Sequence, residues 1–355
     1  MLNILRSWID RYFGEEETVL LALLLVVSFV VILTMGAILA PVIAAVIIAF
    51  LMQGLVGRLQ EWGVPHIVAV VLATLVLLGV LAASFLLMLP ALWQQSVNLL
   101  SELPRMLTEW KELLLLLPEK YPALIKEEQI DSLITAAGSE LGGLGQVVVS
   151  FSLANLPVLF GVLIYAVIVP ILVFFFLKDS DTILSWIGSF LPHDRPTMQT
   201  IWTEMNLQVA NYVRGKVIEI LVVGAVSFVA FIWLGLNYAL LLALAVGLSV
   251  VIPYIGAVVV TLPVALIGMF QWGLGTEFMY LMIVYLIIQT LDGNVLVPLL
   301  FSEAVNLHPV AIIMAVLVFG GLWGLWGVFF AIPLATLIKA ILSAWPTSEE
   351  QLESA

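Results

Sequence analysis

The chain has 355 residues, of which 63% are hydrophobic and 10% charged, with a formal net charge of −12. No soluble domain needs so much apolar residue with so little charge, so the composition specifies a polytopic membrane protein. The lack of cysteine excludes disulfides and thiolate metal sites, the scattered histidines offer no zinc site, and the acidity argues against nucleic acid as a partner.

Residues 1–17 read as an amphipathic surface helix, with Leu2, Leu5, Trp8, Ile9, Tyr12 and Phe13 alternating with Arg6, Asp10 and Arg11. No cleavable leader is expected, because the first apolar run, after Glu15, Glu16 and Glu17, is longer than a signal-peptide core. Between Glu17 and Arg58 there is no charge, which is too long for one span. Gly36 and Pro41 divide it into spans over 18–37 and 38–57, closed as a tight hairpin. A third span runs from Ile67 to Leu89 and stops at Pro90, so region 1–90 holds the surface helix and three transmembrane helices.

Region 91–145 is expected to be an extracytoplasmic helical arm. Leu99, Leu103, Met106, Trp110, Leu113 and Leu117 recur at steps of four and three, a single apolar stripe on a helix. That stripe serves either packing on its own chain or contact between copies in an oligomer. Region 146–216 holds a fourth transmembrane helix over 147–177, kinked by Pro157, Gly161 and Pro170, and then cytoplasmic amphipathic helices. Ile183, Leu184, Ile187, Phe190 and Leu191 give one of these, which Pro192 stops. Ile201, Met205, Val209 and Tyr212 give another, leading to Arg214, Lys216 and Glu219.

Region 217–340 is expected to be a transport core of two span-plus-hairpin units. A span over 219–236 precedes 238–271, which is interrupted at Pro253-Tyr254-Ile255-Gly256. A span over 278–298 precedes 309–338, which is interrupted between Gly320 and Gly327. Each half is short for a full crossing of roughly 20 residues. Gly/Pro-broken segments at matching places in two halves point to the binding site of an inverted-repeat transporter. The alternative is that both segments are pairs of full crossings, giving eight or more in all. Gly320, Gly321, Gly324, Gly327 and Pro333 are read as structural hinges or close-packing positions. The tail, 341–355, is acidic, with Glu349, Glu350 and Glu353.

The fold class is therefore all-α and polytopic, with about six full transmembrane helices plus two interrupted hairpins. The basic residues Arg6, Arg11, Arg58, Lys178, Arg195, Arg214, Lys216 and Lys339 share one side when the spans are drawn this way. By the positive-inside rule that side is the cytoplasm, with both termini in it.

Within the 278–298 span lies Gln289-Thr290-Leu291-Asp292-Gly293-Asn294. A carboxylate near the middle of a spanning helix costs roughly 2.5–3.5 kcal/mol, so a cavity, a partner or a proton must offset it. Gln289 and Asp292 are three apart and share a helix face. Gln289, Asp292 and Asn294 then line a polar path, unless Asp292 simply ends the span in water. Glu219 and Asp292 are the candidate coupling carboxylates. Arg214, Lys216, Pro253, Tyr254 and Gly256 complete the expected pathway, with the hairpin tip meeting Gln289 and Asp292. No phosphate loop, dinucleotide fingerprint or HExxH is present, and no Ser/His/Asp set gathers, so neither an enzyme nor a cofactor is expected.

Several motifs occur in order. They are Phe174-Phe175-Phe176-Leu177-Lys178-Asp179, Tyr212-Val213-Arg214-Gly215-Lys216, Val251-Ile252-Pro253-Tyr254-Ile255-Gly256, Gln289 with Asp292, Asn294 and Pro298, Leu307-His308-Pro309, and Gly324 through Gly327 with Ala331-Ile332-Pro333. As a set they resemble the autoinducer-2 exporter family, the PerM-like permeases, over nearly the whole chain. Lys216 departs from the family, which often has glutamine there. The resemblance implies a bacterial or archaeal inner-membrane protein, export of an autoinducer-2-like signal or sodium/proton antiport, and a homo-oligomer. With no ATP site, a proton or sodium gradient would drive a secondary transporter of a small polar solute. A passive channel or facilitator is the alternative, and a scaffold whose arm recruits partners is a third reading.

Overall fold

Apolar runs in lipid must satisfy every backbone polar group internally, and helices are the open-chain solution. The computed structural model describes residues 16–120, 130, 132, 135–136, 156–192, 194–253, 255–301 and 307–344. Most of the expected surface helix at 1–17, part of the arm, Tyr254 and the tail from 345 lie outside the described residues. Among those described, the chain is helical with no strand. Seven helices are long and apolar enough to cross a membrane, or up to eight if one bent pair counts as a span. The all-α polytopic expectation holds.

The helices are α1 (Glu16–Glu61), α2 (His66–Ala83), α3 (Leu89–Lys120), α4 (Leu156–Lys178), α5 (Ser180–Gly188) and α6 (Pro196–Leu234). Then come α7 (Ala239–Ser249), α8 (Ile255–Trp272), α9 (Thr276–Leu291), α10 (Val297–Phe301), α11 (Pro309–Phe329) and α12 (Ala331–Ala344). Two π turns, Ser84–Met88 and Asp292–Leu296, join α2 to α3 and α9 to α10.

Three expected breaks are absent. α1 stays helical through Gly36 and Pro41 with no separate turn, yet it holds two of the seven candidate spans, Glu17–Gly36 and Ile38–Glu61, so the expected division into two spans stands. The helix is nevertheless not straight. Glu17 Oε1 accepts from the Met198 amide at 2.6 Å, and the Arg214 guanidinium lies 5.6 Å from the Phe50 ring centre. From 198 to 214 α6 advances about 24 Å, whereas a straight α1 would advance about 50 Å from 17 to 50. α1 must bend, and Pro41 removes a ladder hydrogen bond inside it. The second missing break is at Pro90, where helix continues as α3. A proline ring clashes with the carbonyl four residues back, and the π turn at Ser84–Met88 absorbs that clash. The third is at 216–219, where the expected amphipathic helix and the next span form the single 39-residue α6.

The chain divides into two compact units, each discontinuous in sequence. The first comprises Met1–Val76, Val167–Ile218 and Leu296–Ala355. Here Leu21, Met198 and Ile201 form one core, and Tyr212, Val213, Phe301 and Ile332 another. The turn between α1 and α2 is tied to the end of α4. His66 Nε2 lies 3.3 Å from the Lys178 carbonyl and its Nδ1 3.2 Å from Gln60 Nε2. This brings the loop that follows Arg58 next to Lys178. α5 then turns away from α4 by 76°. His308 caps α11, its Nδ1 accepting from the Val310 amide at 3.2 Å, with Pro309 at the first helical position.

The second unit comprises Leu77–Ala166 and Glu219–Val295. α7 packs on α8 and on α3, and α8 packs on α9. The arm's stripe is partly visible here, with Met106 fully buried, while the side chains of 110–120 lie outside the described residues. Arg105 pairs with Glu102 at 3.6 Å and Glu109 at 3.7 Å, and its guanidinium lies 5.0 Å from the Phe270 ring centre.

Both interrupted segments reverse the chain at glycine. α7 has 11 residues, about 16 Å of helix, too short to cross a hydrocarbon core of about 30 Å, whereas α8, with 18 residues, is long and apolar enough to cross, against the expectation that both halves are short. After the break at 250–254, Gly256 lies directly on the Ser249 carbonyl, where a Cβ would overlap it. In the first unit, Gly324 has φ 60° and ψ −136°, a left-handed break inside α11. Gly327 then lies directly on the Phe319 carbonyl, again leaving no room for a Cβ. The four expected hinge glycines are not equivalent: Gly320 packs beside Val328, and Gly321 touches nothing. Pro333 is buried in the first turn of α12, where its missing N–H is not needed.

Candidate functional site

The polar stretch of the 278–298 span is a π turn. Asp292-Gly293-Asn294-Val295-Leu296 winds wide one turn before Pro298, the same device that precedes Pro90. π turns occur mostly as single-turn bulges and often at functional sites. Asn294 is exposed, and its Nδ2 donates to the Thr290 carbonyl at 2.9 Å. Its amide therefore serves the turn itself. Gly293 is open on its side-chain face, with nothing within 4 Å of an added Cβ.

Leu281, Tyr285 and Ile288 form the buried face of α9. Tyr285 is fully buried, and its hydroxyl lies 3.0 Å from Thr261 Oγ1 and 3.3 Å from the Ala257 carbonyl. Gln289, one turn further on, stands on the same face beside the Tyr285 side chain. Gln289 Nε2 is buried with no hydrogen-bond partner among the described residues, and Asp292 Oδ1 is shielded too. A polar line thus runs from Gln289 through Tyr285 to Ala257, one residue past Gly256. Locally the break binds itself, with Pro253 accepting from Ile255 N–H at 2.7 Å and Ile252 from Gly256 N–H at 2.9 Å. Tyr254 lies outside the described residues.

α6 carries the remaining site residues on a buried stripe. Tyr212, Lys216, Glu219, Val223, Ser227 and Phe231 recur at steps of four and three, and all are buried. An ammonium and a carboxylate thus sit one turn apart on a helix face whose other polar groups are the Tyr212 and Ser227 hydroxyls. In the first unit the Lys216 ammonium lies 5.2 Å from the Phe301 ring centre, a cation–π contact. The Tyr212 hydroxyl donates to the Phe329 carbonyl at 2.9 Å, two residues past Gly327. Arg214 is exposed over Phe50. The structure therefore brings Gln289 towards the first hairpin. It brings the Tyr212-to-Lys216 segment onto α10 and the return strand of the second hairpin.

Sequence reasoning missed Tyr285, Thr261 and Tyr212. Tyr285 carried a usable signal, since it stands four residues before Gln289 on the same face. Thr261 and Tyr212 differ from ordinary helix residues only by their tertiary partners.

These arrangements have relatives. The profile described as AI-2E family transporter matches residues 19–347. PerM of Escherichia coli (strain K12), named as a permease, is 46% identical over 349 residues, covering 98% of this chain and 99% of that one. YueF of Bacillus subtilis (strain 168), named as a transport protein, is 27% identical over 311 residues, covering 84% of this chain and 82% of that one. With a family match over nearly its full length and a relative this similar end to end, the chain belongs to the AI-2E transporter family.

Proposed function

We propose that this chain is a gradient-driven secondary transporter that moves a small polar solute, such as an autoinducer-2-like signal, past the polar face of α9. The observation that carries the reading is the line Gln289–Tyr285–Ala257, which joins a buried amide to the broken hairpin. Backbone broken at membrane depth is tolerable where it is buried in protein or lines a cavity. In this reading Gln289 orients the solute, and Asp292 and Glu219 carry the coupling proton or sodium ion. Lys216, buried on the same stripe as Glu219, sets the charge state the carboxylate must balance. The hairpins at 238–271 and 309–338 are the moving elements of two inverted repeats, and α6 delivers Arg214 and Lys216 to the cytoplasmic entrance. The protein acts in the inner membrane as a homo-oligomer with both termini cytoplasmic.

Flux into proteoliposomes under imposed proton and sodium gradients, with a panel of candidate solutes, tests this. Uphill accumulation that collapses with an ionophore is the expected result. Asp292→Asn should retain binding but lose the pH dependence of flux. Downhill flux alone, with no accumulation under any gradient, identifies a facilitator and overturns coupling. Full, pH-dependent transport by Asp292→Asn overturns the role of that carboxylate.

A further inference from the structure

A second polar site lies in the second unit, at the end where α6 gives way to α7. A cleft of about 500 Å³ is lined by Gln95, Asn98, Ser101, Glu102, Asn237 and Tyr238. No lining residue is apolar and none is basic. The walls are fixed by hydrogen bonds that do not involve a ligand. Gln95 Oε1 accepts from the Leu241 amide at 3.0 Å, closing one of the open donors in the first turn of α7. On the other side Gln271 clamps the turn, its Oε1 accepting from Asn237 N–H at 2.8 Å and its Nε2 donating to Gly235 O at 2.7 Å.

The turn also holds a strained residue. Tyr238 has φ 59° and ψ 28°, the left-handed region, and no other non-glycine described here has positive φ. A glycine would occupy that position without steric cost. A tyrosine kept there points to a use for its side chain, since such strain gathers at ligand clamps. Tyr238 faces Glu102: burial and then the Glu102 carboxylate push its hydroxyl above its ordinary value. It therefore keeps its proton and donates.

The lining sorts the ligand by elimination. Carboxamides, a hydroxyl, a phenol and a carboxylate offer many donors and acceptors at fixed positions. An anion would meet Glu102, whose nearest guanidinium, Arg105, lies outside the lining and is shared with Glu109 at 3.7 Å. The Arg105 pairing at 3.6 Å offsets part of the Glu102 charge and weakens the hold on a cation. A bare ion is far smaller than the space, and no cluster of His, Asp or Glu suited to a metal exists among the described residues. An apolar solute would leave the walls' hydrogen bonds unmade.

We propose that this cleft binds a small, uncharged, polyhydroxylated solute, with Glu102, Asn98 and Asn237 bonding its hydroxyls and Tyr238 closing over it. The site is separate from the α9 face and does not rest on the transport reading. Binding needs no gradient, so it can be measured on the full-length protein in nanodiscs. Saturation-transfer difference NMR with xylitol, gluconate and glucosamine compares a neutral, an anionic and a cationic probe of similar size. Xylitol should give a saturable signal, with the charged probes weaker. Tyr238→Gly, which relieves the left-handed strain, should stay folded yet bind xylitol about tenfold more weakly, and so should Asn98→Ala at an exposed position. If Tyr238→Gly fails to fold, Asn98→Ala decides alone. The proposal is overturned if wild-type protein gives no saturable xylitol signal, if either charged probe matches xylitol, or if the folded variants bind as wild type does.

Discussion

Replacing Tyr285 by phenylalanine deletes one hydroxyl and nothing else from the contact between α8 and α9. That hydroxyl lies 3.0 Å from Thr261 Oγ1 and 3.3 Å from the Ala257 carbonyl. The second distance is long for an oxygen pair, so the Thr261 bond carries most of the value. Thr261 and Ala257 are not orphaned by the change, because Thr261 Oγ1 also donates to the Ala257 carbonyl at 2.6 Å, and Gln289 Nε2 has no hydrogen-bond partner among the described residues to lose. The cost is then the net worth of one hydrogen bond, about 0.5–1.5 kcal/mol, without a new buried unsatisfied group. Between membrane helices such bonds average about 0.6 kcal/mol, so the lower half of that range is expected. Thr261→Val removes the same bond from the other side, and the double variant closes a cycle with a coupling of about 0.6 kcal/mol. Reversible unfolding in mixed micelles by a denaturing detergent gives the required free energies. A coupling indistinguishable from zero would show that the two hydroxyls do not bond. A Tyr285→Phe cost above about 3 kcal/mol would mean that a buried group had lost its sole partner, against the geometry.

Gly256→Ala and Gly327→Ala should each destabilise by about 1–3 kcal/mol or more, since the new Cβ meets a backbone carbonyl that cannot swing aside. Gly293→Ala, where space is open, is the control; melts of detergent-solubilised protein that rank all three alike would refute the close approach. Pro298→Ala restores an amide one turn after the π turn at 292–296. It should lengthen the spin-label distance across 290–300 slightly, because a wide turn rises less per residue, and an unchanged distance would mean that proline is not the cause. In intact cells, a cysteine at Glu119 should react with an impermeant reagent and one at Ser348 should not; the reverse pattern inverts the proposed topology.

The apolar runs, the polar stretch at 289–294 and the two glycine-broken segments were legible because each departs sharply from the composition around it. Proline was the misleading signal. Pro41 and Pro90 read as stops because in water a helix seldom survives one, yet within lipid an exposed break costs more than a bend. The chain bends at Pro41 and widens by one residue before Pro90 and Pro298. The continuity of α6 was hidden for another reason. Its hydrophilic half and apolar half differ so much in composition that they looked like separate elements, although between Arg214 and Glu219 only Gly215 is a helix-ending residue type, and it stays inside the helix and packs against the Phe301 ring instead. The clamp on the 235–238 turn had no local signature, because Gln95 and Gln271 reach it from distant segments.

The wide turn at Ser84–Met88 has an effect on everything after it. One residue added to a regular helix rotates the downstream part by about 100° about its own axis. The wide turn takes up such an extra residue, because an i→i+5 turn holds about one residue more than an α turn, so Gln95, Asn98 and Glu102 keep the aim they would have on a regular helix one residue shorter. Wind 84–88 as regular α-helix without losing a residue, and Gln95 faces roughly a quarter-turn away from the Leu241 amide, so the cleft loses a wall with no lining residue changed. The phase of this helix is thus held by an absorbed insertion, and removing one residue together with the wide turn would leave the aim as it is.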